Sequence, residues 1–190
     1  MNPDVEAQLD AIQREAFDYF VTFANPANGL VPDSTRERSP ASIATIGLAL
    51  SAYCVGVHRG WMRREEAAQR TLATLRFFAG SEQGESATAS GHKGFYFHFL
   101  DMASGQRAGD SELSLIDSGM LFAGMLSAAA FFDAGLPAER EIRERAECLF
   151  ARADFGWALD GRESLAMGWK PECGFLNYDW DGYTEATILY

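Results

Sequence analysis

The chain has 190 residues, of which 47% are hydrophobic and 23% are charged. These proportions are typical of a folded globular protein and exclude an intrinsically disordered one. The formal net charge is −11, and a surface of that sign repels phosphate backbones, so we expect no nucleic-acid partner.

The cysteines, histidines and known short motifs give no sign of a cofactor or metal. Cys54, Cys148 and Cys173 show no CxxC spacing, and the three histidines are scattered. The glycine-rich nucleotide motifs, GxSxG and HExxH are all missing from the sequence, so we expect no cofactor and no metal. The chain also lacks an apolar stretch long enough to span a bilayer and the basic and apolar regions of a secretion signal. We expect no membrane contact. A removed signal would leave the same sequence, so both a cytoplasmic and a periplasmic location stay open.

The first half of the chain predicts three helices. Residues 5–23 have apolar side chains at helical spacing with polar ones between them, which predicts an amphipathic outer helix. Residues 43–57 contain no charged residue, and a helix that is apolar on all sides is buried on all sides. We interpret this second segment as an inner helix. Residues 68–78 return to the amphipathic pattern and predict another outer helix.

The same order then repeats. Residues 118–132 are again uncharged, and residues 142–153 are again amphipathic. The segment from Tyr183 to Tyr190 is typical of the opening of a third inner helix, and it has no polar stop or glycine cap at its end. We therefore predict an all-α fold of alternating outer and inner helices, arranged as hairpins, with the chain ending inside the third inner helix.

The connections that enter the inner helices are long, whereas the returning turns are short. The long connections comprise residues 24–40, 80–111 and 154–182, and residues 94–106 of the second predict a short β-hairpin. In an antiparallel array of hairpins, all the long connections emerge at one end. Loops of this length in a compact domain are usually functional, so we expect them to form a binding site at a common rim.

Acidic residues lie where the long connections meet the inner helices. Glu112 and Asp117 flank the start of the second inner helix, Glu185 opens the third, and Asp33 precedes the first. Hydrolysis of a glycosidic bond needs one carboxyl group to protonate the leaving oxygen and a second to activate water or attack the sugar. A purely structural alternative stays open, because acidic residues are favoured in the first turn of any helix.

Aromatic residues gather in the last long connection. Three of the four tryptophans, Trp157, Trp169 and Trp180, lie there, and Tyr183 follows. Flat rings with a polar edge suit the apolar faces of sugars, although core packing explains any single ring more simply. His98, in an aromatic strand, either acts as a general acid or base or makes a structural hydrogen bond.

Several of these segments together resemble the bacterial glucoamylase-like domain family. The matching segments are residues 42–61, 94–101, 111–117, 167–172 and 180–186. They cover nearly the whole chain in the same order. Members of the family are similar to (α/α)6 toroids, and characterised ones include endo-β-1,2-glucanases that act with inversion. The resemblance implies that residues 1–190 form the N-terminal half of such a toroid. The missing C-terminal half would then supply the group that activates water.

The resemblance also implies roles for single residues. Glu185 corresponds to the general acid, while Glu112 and Asp117 line the catalytic cavity. The residues expected to contact the sugar, or to support those that do, are Asp33, Arg36, His98, Trp169, Trp180 and Tyr183. The hypothesis is a glycoside hydrolase that acts on a bacterial β-glucan with β-1,2 linkages. It requires Glu112 and Glu185 to face the same hollow.

Two alternatives stay open. One is a six-hairpin isomerase or lyase that relies on His98 and tyrosines. The other is a non-catalytic carbohydrate-binding or scaffold module.

Overall fold

The computed structural model describes residues 3–190, and helices hold about 51% of the chain. The α-helices of this part are α1 (Pro3–Phe23), α2 (Ile43–His58), α3 (Arg64–Gly80), α4 (Leu115–Phe131), α5 (Pro137–Ala151) and α6 (Phe155–Leu159), and a 3₁₀ helix spans Glu185–Leu189. The strands are β1 (Ala41–Ser42), β2 (Gly91–His92), β3 (Phe95–Phe97), β4 (Phe99–Leu100), β5 (Leu113–Ser114), β6 (Gly168–Lys170) and β7 (Gly174–Phe175).

The predicted order of outer and inner helices is confirmed for α1 to α5. Ser42 caps α2 and Ser114 caps α4, because each side-chain oxygen accepts a hydrogen bond from a backbone N–H in the first turn. The two inner helices pack against each other, and α5 packs against both α3 and α4. The helix predicted from Tyr183 is present only as the 3₁₀ helix, which packs on α4.

The contact between α2 and α4 depends on two glycines. A Cβ atom on Gly124 would lie 2.1 Å from the carbonyl oxygen of Gly47, and one on Gly47 would lie 2.3 Å from the carbonyl oxygen of Met120. Both obstacles are backbone atoms, which cannot rotate away as a side chain can. The backbones of the inner helices are therefore as close as glycine allows.

The prediction of an all-α fold is confirmed only in part, because the long connections contain two antiparallel sheets. One sheet pairs β1 with β4, and the other has the order β2-β3-β5-β6-β7. Each strand has only two or three residues. Alternation cannot be recognised over so few residues, which is why the sequence indicated strand structure only near residues 94–106. That segment does contain β3 and β4, but they belong to different sheets.

The sheets join the three long connections to one another. Ala41, which directly follows the first connection, pairs with Leu100 of the second, and Leu113, just after the second, pairs with Trp169 of the third. Since β1 runs directly into α2 and β5 into α4, this layer lies at the N-terminal ends of both inner helices. We call this layer the rim.

The prediction that the inner helices are buried on every side is wrong for part of their surface. In α2, Leu48 is 57% exposed and Val55 is 39% exposed, and in α4 Leu126 is 37% exposed. The amphipathic α1 likewise leaves Leu9 and Ile12 more than half exposed. Residues 3–190 cover these apolar side chains only in part. No helix in this part of the chain is long and apolar enough to cross a membrane.

We predict that Gly124→Ala lowers the free energy of unfolding by about 1–3 kcal/mol, because the new methyl group would overlap the Gly47 backbone. Gly80→Ala is the matched control, since a Cβ on that helical glycine meets nothing within 4 Å. It should be neutral or slightly stabilising. Urea denaturation of both variants checks this, and equal stabilities would contradict it.

Candidate active site

The rim positions His98 and Glu112 through their backbones. The His98 N–H donates to the carbonyl oxygen of Glu112 at 2.8 Å, and the His98 carbonyl accepts a hydrogen bond from the N–H of Ile43 at 3.2 Å. Asp117 lies in the first turn of α4, a few residues beyond Glu112. These bonds bring the starts of α2 and α4 to the same histidine.

The side chains of His98, Glu112 and Asp117 converge, and we call them the imidazole cluster. Nδ1 of His98 lies 2.9 Å from Oε1 of Glu112, and Nε2 lies 3.6 Å from Oδ2 of Asp117. The Ser114 hydroxyl donates to Oδ2 of Asp117 at 2.6 Å. The imidazole also stacks on the Phe99 ring, with centroids 3.9 Å apart. The three side chains are 17–31% exposed, so the cluster is partly open to a ligand.

Within the cluster, the pKa of His98 is raised and the pKa of Glu112 is lowered. Burial is the largest influence on His98 and lowers its pKa, but the hydrogen bond to Glu112 and the charges of Asp117, Glu112 and Asp33 together outweigh it and raise the pKa above 6.5. The hydrogen bond from His98 holds the pKa of Glu112 below its usual value, and the charge of Lys170 adds to this effect. Glu112 is therefore a carboxylate at neutral pH and does not suit the role of general acid.

A buried arginine that the sequence analysis missed anchors the backbone next to Glu112. The Arg107 side chain is 1% exposed, and its Nε donates to the carbonyl oxygen of Ser111 at 2.6 Å. The other two guanidinium nitrogens bind the carboxylate of Glu172 at 2.6 and 3.2 Å, and the guanidinium lies over the Phe97 ring. Glu172 lies in the turn between β6 and β7 that follows Lys170. Arg107 thus holds both the backbone of Glu112 and the hairpin that carries Lys170. A lone arginine in a loop gives no sequence signal of such a role.

The other predicted site residues differ in exposure and in the groups that they contact. Asp33 and Arg36 are exposed in the first connection, and the charge of Asp33 acts on His98. Trp169 is only 9% exposed and stacks on His92 with centroids 4.7 Å apart, so it belongs to the core. The Trp180 indole N–H is buried and has no hydrogen-bond partner among residues 3–190.

Glu185 and Tyr183 are exposed at the start of the terminal 3₁₀ helix. Within the described part of the chain, neither side chain forms a hydrogen bond or an ion pair with the imidazole cluster. The structure therefore joins Glu112, Asp117 and His98 into one site and leaves Glu185 outside its hydrogen-bond network.

Comparison with known proteins shows which sequences and folds this chain resembles. No protein-family model matches the chain. It is 27% identical over 195 residues to an exo-β-1,2-glucooligosaccharide sophorohydrolase (non-reducing end) from Parabacteroides distasonis, an alignment that covers 97% of this chain and 26% of that protein. The resemblance to the glucoamylase-like proteins is confirmed.

Three solved structures share the fold. A protein from Bacteroides uniformis assigned as a glucoamylase has a TM-score of 0.86 and 28% identity, covering 95% of this chain and 44% of that one. A β-1,2-glucanase from Parabacteroides distasonis has a TM-score of 0.86 and 25% identity over 96% and 26% of the two chains. An endo-β-1,2-glucanase from Chitinophaga pinensis has a TM-score of 0.80 and 21% identity over 97% and 45%. The chain thus spans between 26% and 45% of the length of these relatives.

We predict that His98 titrates above 6.5 and that Glu112→Gln lowers its pKa, because burial then acts with less opposing charge. Since the folded pKa is raised, the pair's contribution to stability is full below pH 6.5 and is lost as pH rises through the folded pKa of His98. Imidazole NMR measures this, and His92, whose pKa is lowered by burial, should titrate below His98 in the same spectra. A His98 that titrates at or below 6.5 in the unaltered chain would contradict the analysis.

We also predict that Arg107→Lys lowers the free energy of unfolding by about 1–3 kcal/mol, because lysine keeps the charge but loses the paired hydrogen bonds and the bond to Ser111. Arg140→Lys, at an exposed arginine of α5, is the control and should be neutral. Denaturant unfolding distinguishes them, and equal effects would mean that the guanidinium has no specific structural role.

Proposed function

We propose that the chain is the N-terminal half of an (α/α)6 glycoside hydrolase domain that cleaves a β-glucan, with β-1,2 linkages as the favoured substrate. The observation that carries this proposal is the convergence of Glu112 and Asp117 on His98, at the rim where the three long connections meet. The sophorohydrolase and the β-1,2-glucanase from Parabacteroides distasonis align with almost the whole of this chain, which supports the substrate class.

The open faces of the helices support the half-toroid arrangement. Leu48 and Val55 on α2, Leu126 on α4, and Leu9 and Ile12 on α1 are apolar side chains left exposed. A second set of helical hairpins packed on these positions would remove them from water. This chain covers 44% and 45% of the length of two solved relatives, which agrees with a complete domain of about twice the length of this chain.

The charges in the cluster suggest a division of roles. Glu112 is an ionised acceptor, which suits binding of a sugar hydroxyl or stabilisation of the positive charge that develops on the sugar ring in the transition state. His98 lies between both carboxylates and, when it is protonated, balances part of their negative charge. Glu185 is our candidate for the general acid, because residues 180–186 resemble the segment that carries the general acid in the glucoamylase-like family. The carboxylate that activates water would come from the other half of the domain.

One alternative rests on a specific observation. Glu185 is exposed and outside the imidazole cluster, which is also what a non-catalytic sugar-binding module would show. A lyase or isomerase that uses His98 as its base is less well supported, because neighbouring carboxylates make this histidine hold its proton more firmly.

We expect Glu185→Gln, in the natural protein with its complete domain, to reduce hydrolysis of linear β-1,2-glucan by about 10²–10⁴-fold, the usual contribution of a general acid. Glu163→Gln, at an exposed acid of the last long connection, is the control and should keep full activity. Release of reducing ends gives the rate, and circular dichroism checks the fold.

Undiminished turnover in Glu185→Gln would remove this residue from the mechanism. A protein that binds the oligosaccharides in calorimetry but releases no reducing ends would instead favour the binding module.

A further inference from the structure

A glycine of strand β6 lies beside the side chain of Glu112. Gly168 pairs with Ser114 across the larger sheet. A Cβ atom on Gly168 would lie 2.7 Å from the carbonyl oxygen of Leu113 and 3.0 Å from Cγ of Glu112, which is closer than close-packed atoms approach. The backbone of β6 therefore borders the methylene groups of Glu112, and glycine at this position leaves the room that they occupy.

Arg107 connects this strand to the backbone that precedes Glu112. Its Nε binds the carbonyl oxygen of Ser111, and its two terminal nitrogens bind the carboxylate of Glu172, in the turn that follows β6. Because the Arg107 side chain is only 1% exposed, water cannot readily replace these partners. The guanidinium therefore fixes the peptide group before Glu112 relative to the turn of the β6–β7 hairpin.

Together these contacts restrict Glu112 from its backbone to its carboxylate. Its carbonyl oxygen accepts the His98 N–H at 2.8 Å, and its Oε1 lies 2.9 Å from Nδ1 of His98. The hairpin lies on one side of the Glu112 methylene groups and limits where that oxygen can move. A displacement of about 1 Å in a reacting group can slow an enzyme by about 10²-fold, so residues outside the imidazole cluster affect what the cluster can do.

We propose that Arg107 and Gly168 are positioning residues for Glu112, which hold the β6–β7 hairpin beside it and thereby keep its carboxylate on His98. Both act through Glu112 rather than on a sugar. The kinetic consequence rests on the proposed function, whereas the geometry of the cluster does not.

The titration of His98 reports the position of the Glu112 carboxylate. Burial lowers the pKa of His98, and the hydrogen bond to Glu112 together with the charges of Asp117, Glu112 and Asp33 raises it. If the carboxylate moves away from the imidazole, burial acts with less opposition and the pKa of His98 falls.

Two substitutions separate position from charge. Arg107→Met removes the guanidinium, and the half-exposed Glu172 can then remain in water. Loss of this positive charge alone would raise the pKa of His98, whereas loss of position would lower it. Gly168→Ala changes no charge and displaces Glu112 sterically. We expect histidine NMR of the natural protein to show a lower pKa of His98 in both variants.

Hydrolysis of linear β-1,2-glucan gives the second measurement. We expect both variants to lower kcat by about 10–10²-fold and to leave KM nearly unchanged, since the displaced carboxylate is needed more in the transition state than in the bound substrate. Two controls should keep both the pKa of His98 and the rate. Arg76→Met breaks the doubly bonded Arg76–Glu141 pair between the outer helices, and Gly84→Ala adds a methyl group that meets nothing within 4 Å.

The positioning role is overturned if both variants keep the His98 pKa of the unaltered protein, if Arg107→Met raises it, or if kcat stays unchanged while the pKa falls. Should one variant fail to fold, the other decides. A lower pKa of His98 in a protein that does not hydrolyse the glucan would support the positioning of Glu112 and overturn the proposed function.

Discussion

The candidate site depends on the backbone of His98. Its N–H binds the carbonyl of Glu112 and its carbonyl binds the N–H of Ile43, so one residue ties the entry of α4 to the entry of α2. Because the same residue also places its imidazole between two carboxylates, the bonds that assemble the rim assemble the site as well. A shift in either inner helix would change the distances between the charged groups. The close backbone contact at Gly47 and Gly124 limits such a shift.

The surroundings of the cluster explain how charged groups are kept in a partly buried place. Three acids, Asp33, Glu112 and Asp117, act on one histidine, and their combined charge outweighs the cost of burying the imidazolium. Arg107 also carries a buried charge, which the half-exposed Glu172 neutralises, and its third donor holds the Ser111 carbonyl. Ion pairs of this type are often more valuable for fixing one geometry than for net stability. Here the geometry that they fix is that of the backbone before Glu112.

The apolar side chains left open on α1, α2 and α4 lie on helix surfaces, whereas the imidazole cluster lies at the rim. In the proposed toroid, the second set of hairpins would cover the helices and leave the rim open. The long connections would then form one wall of a sugar-binding cleft, with the imidazole cluster at its centre.

The sequence by itself determined the helices and the positions of the chemistry. The uncharged stretches 43–57 and 118–132 and the amphipathic stretches between them predicted α1 to α5, because the helical period is long enough to be recognised over fifteen residues. Glu112, Asp117 and His98 were also selected from the sequence, from the positions of acids at helix starts and from motif resemblance. The roles of Glu185, Tyr183 and Trp180 stay predictions.

Only the tertiary structure decided how these residues meet. The strands that join the connections have two or three residues each, too few for a periodic signal, and their partners are distant in the chain. The same holds for Arg107 and Glu172, and for the burial of Trp169 against His92. Local patterns record which face of a helix is apolar, but pairing between distant loops depends on the packing of the helices that carry them. That packing sets which carboxylate meets the histidine, and hence which group is charged.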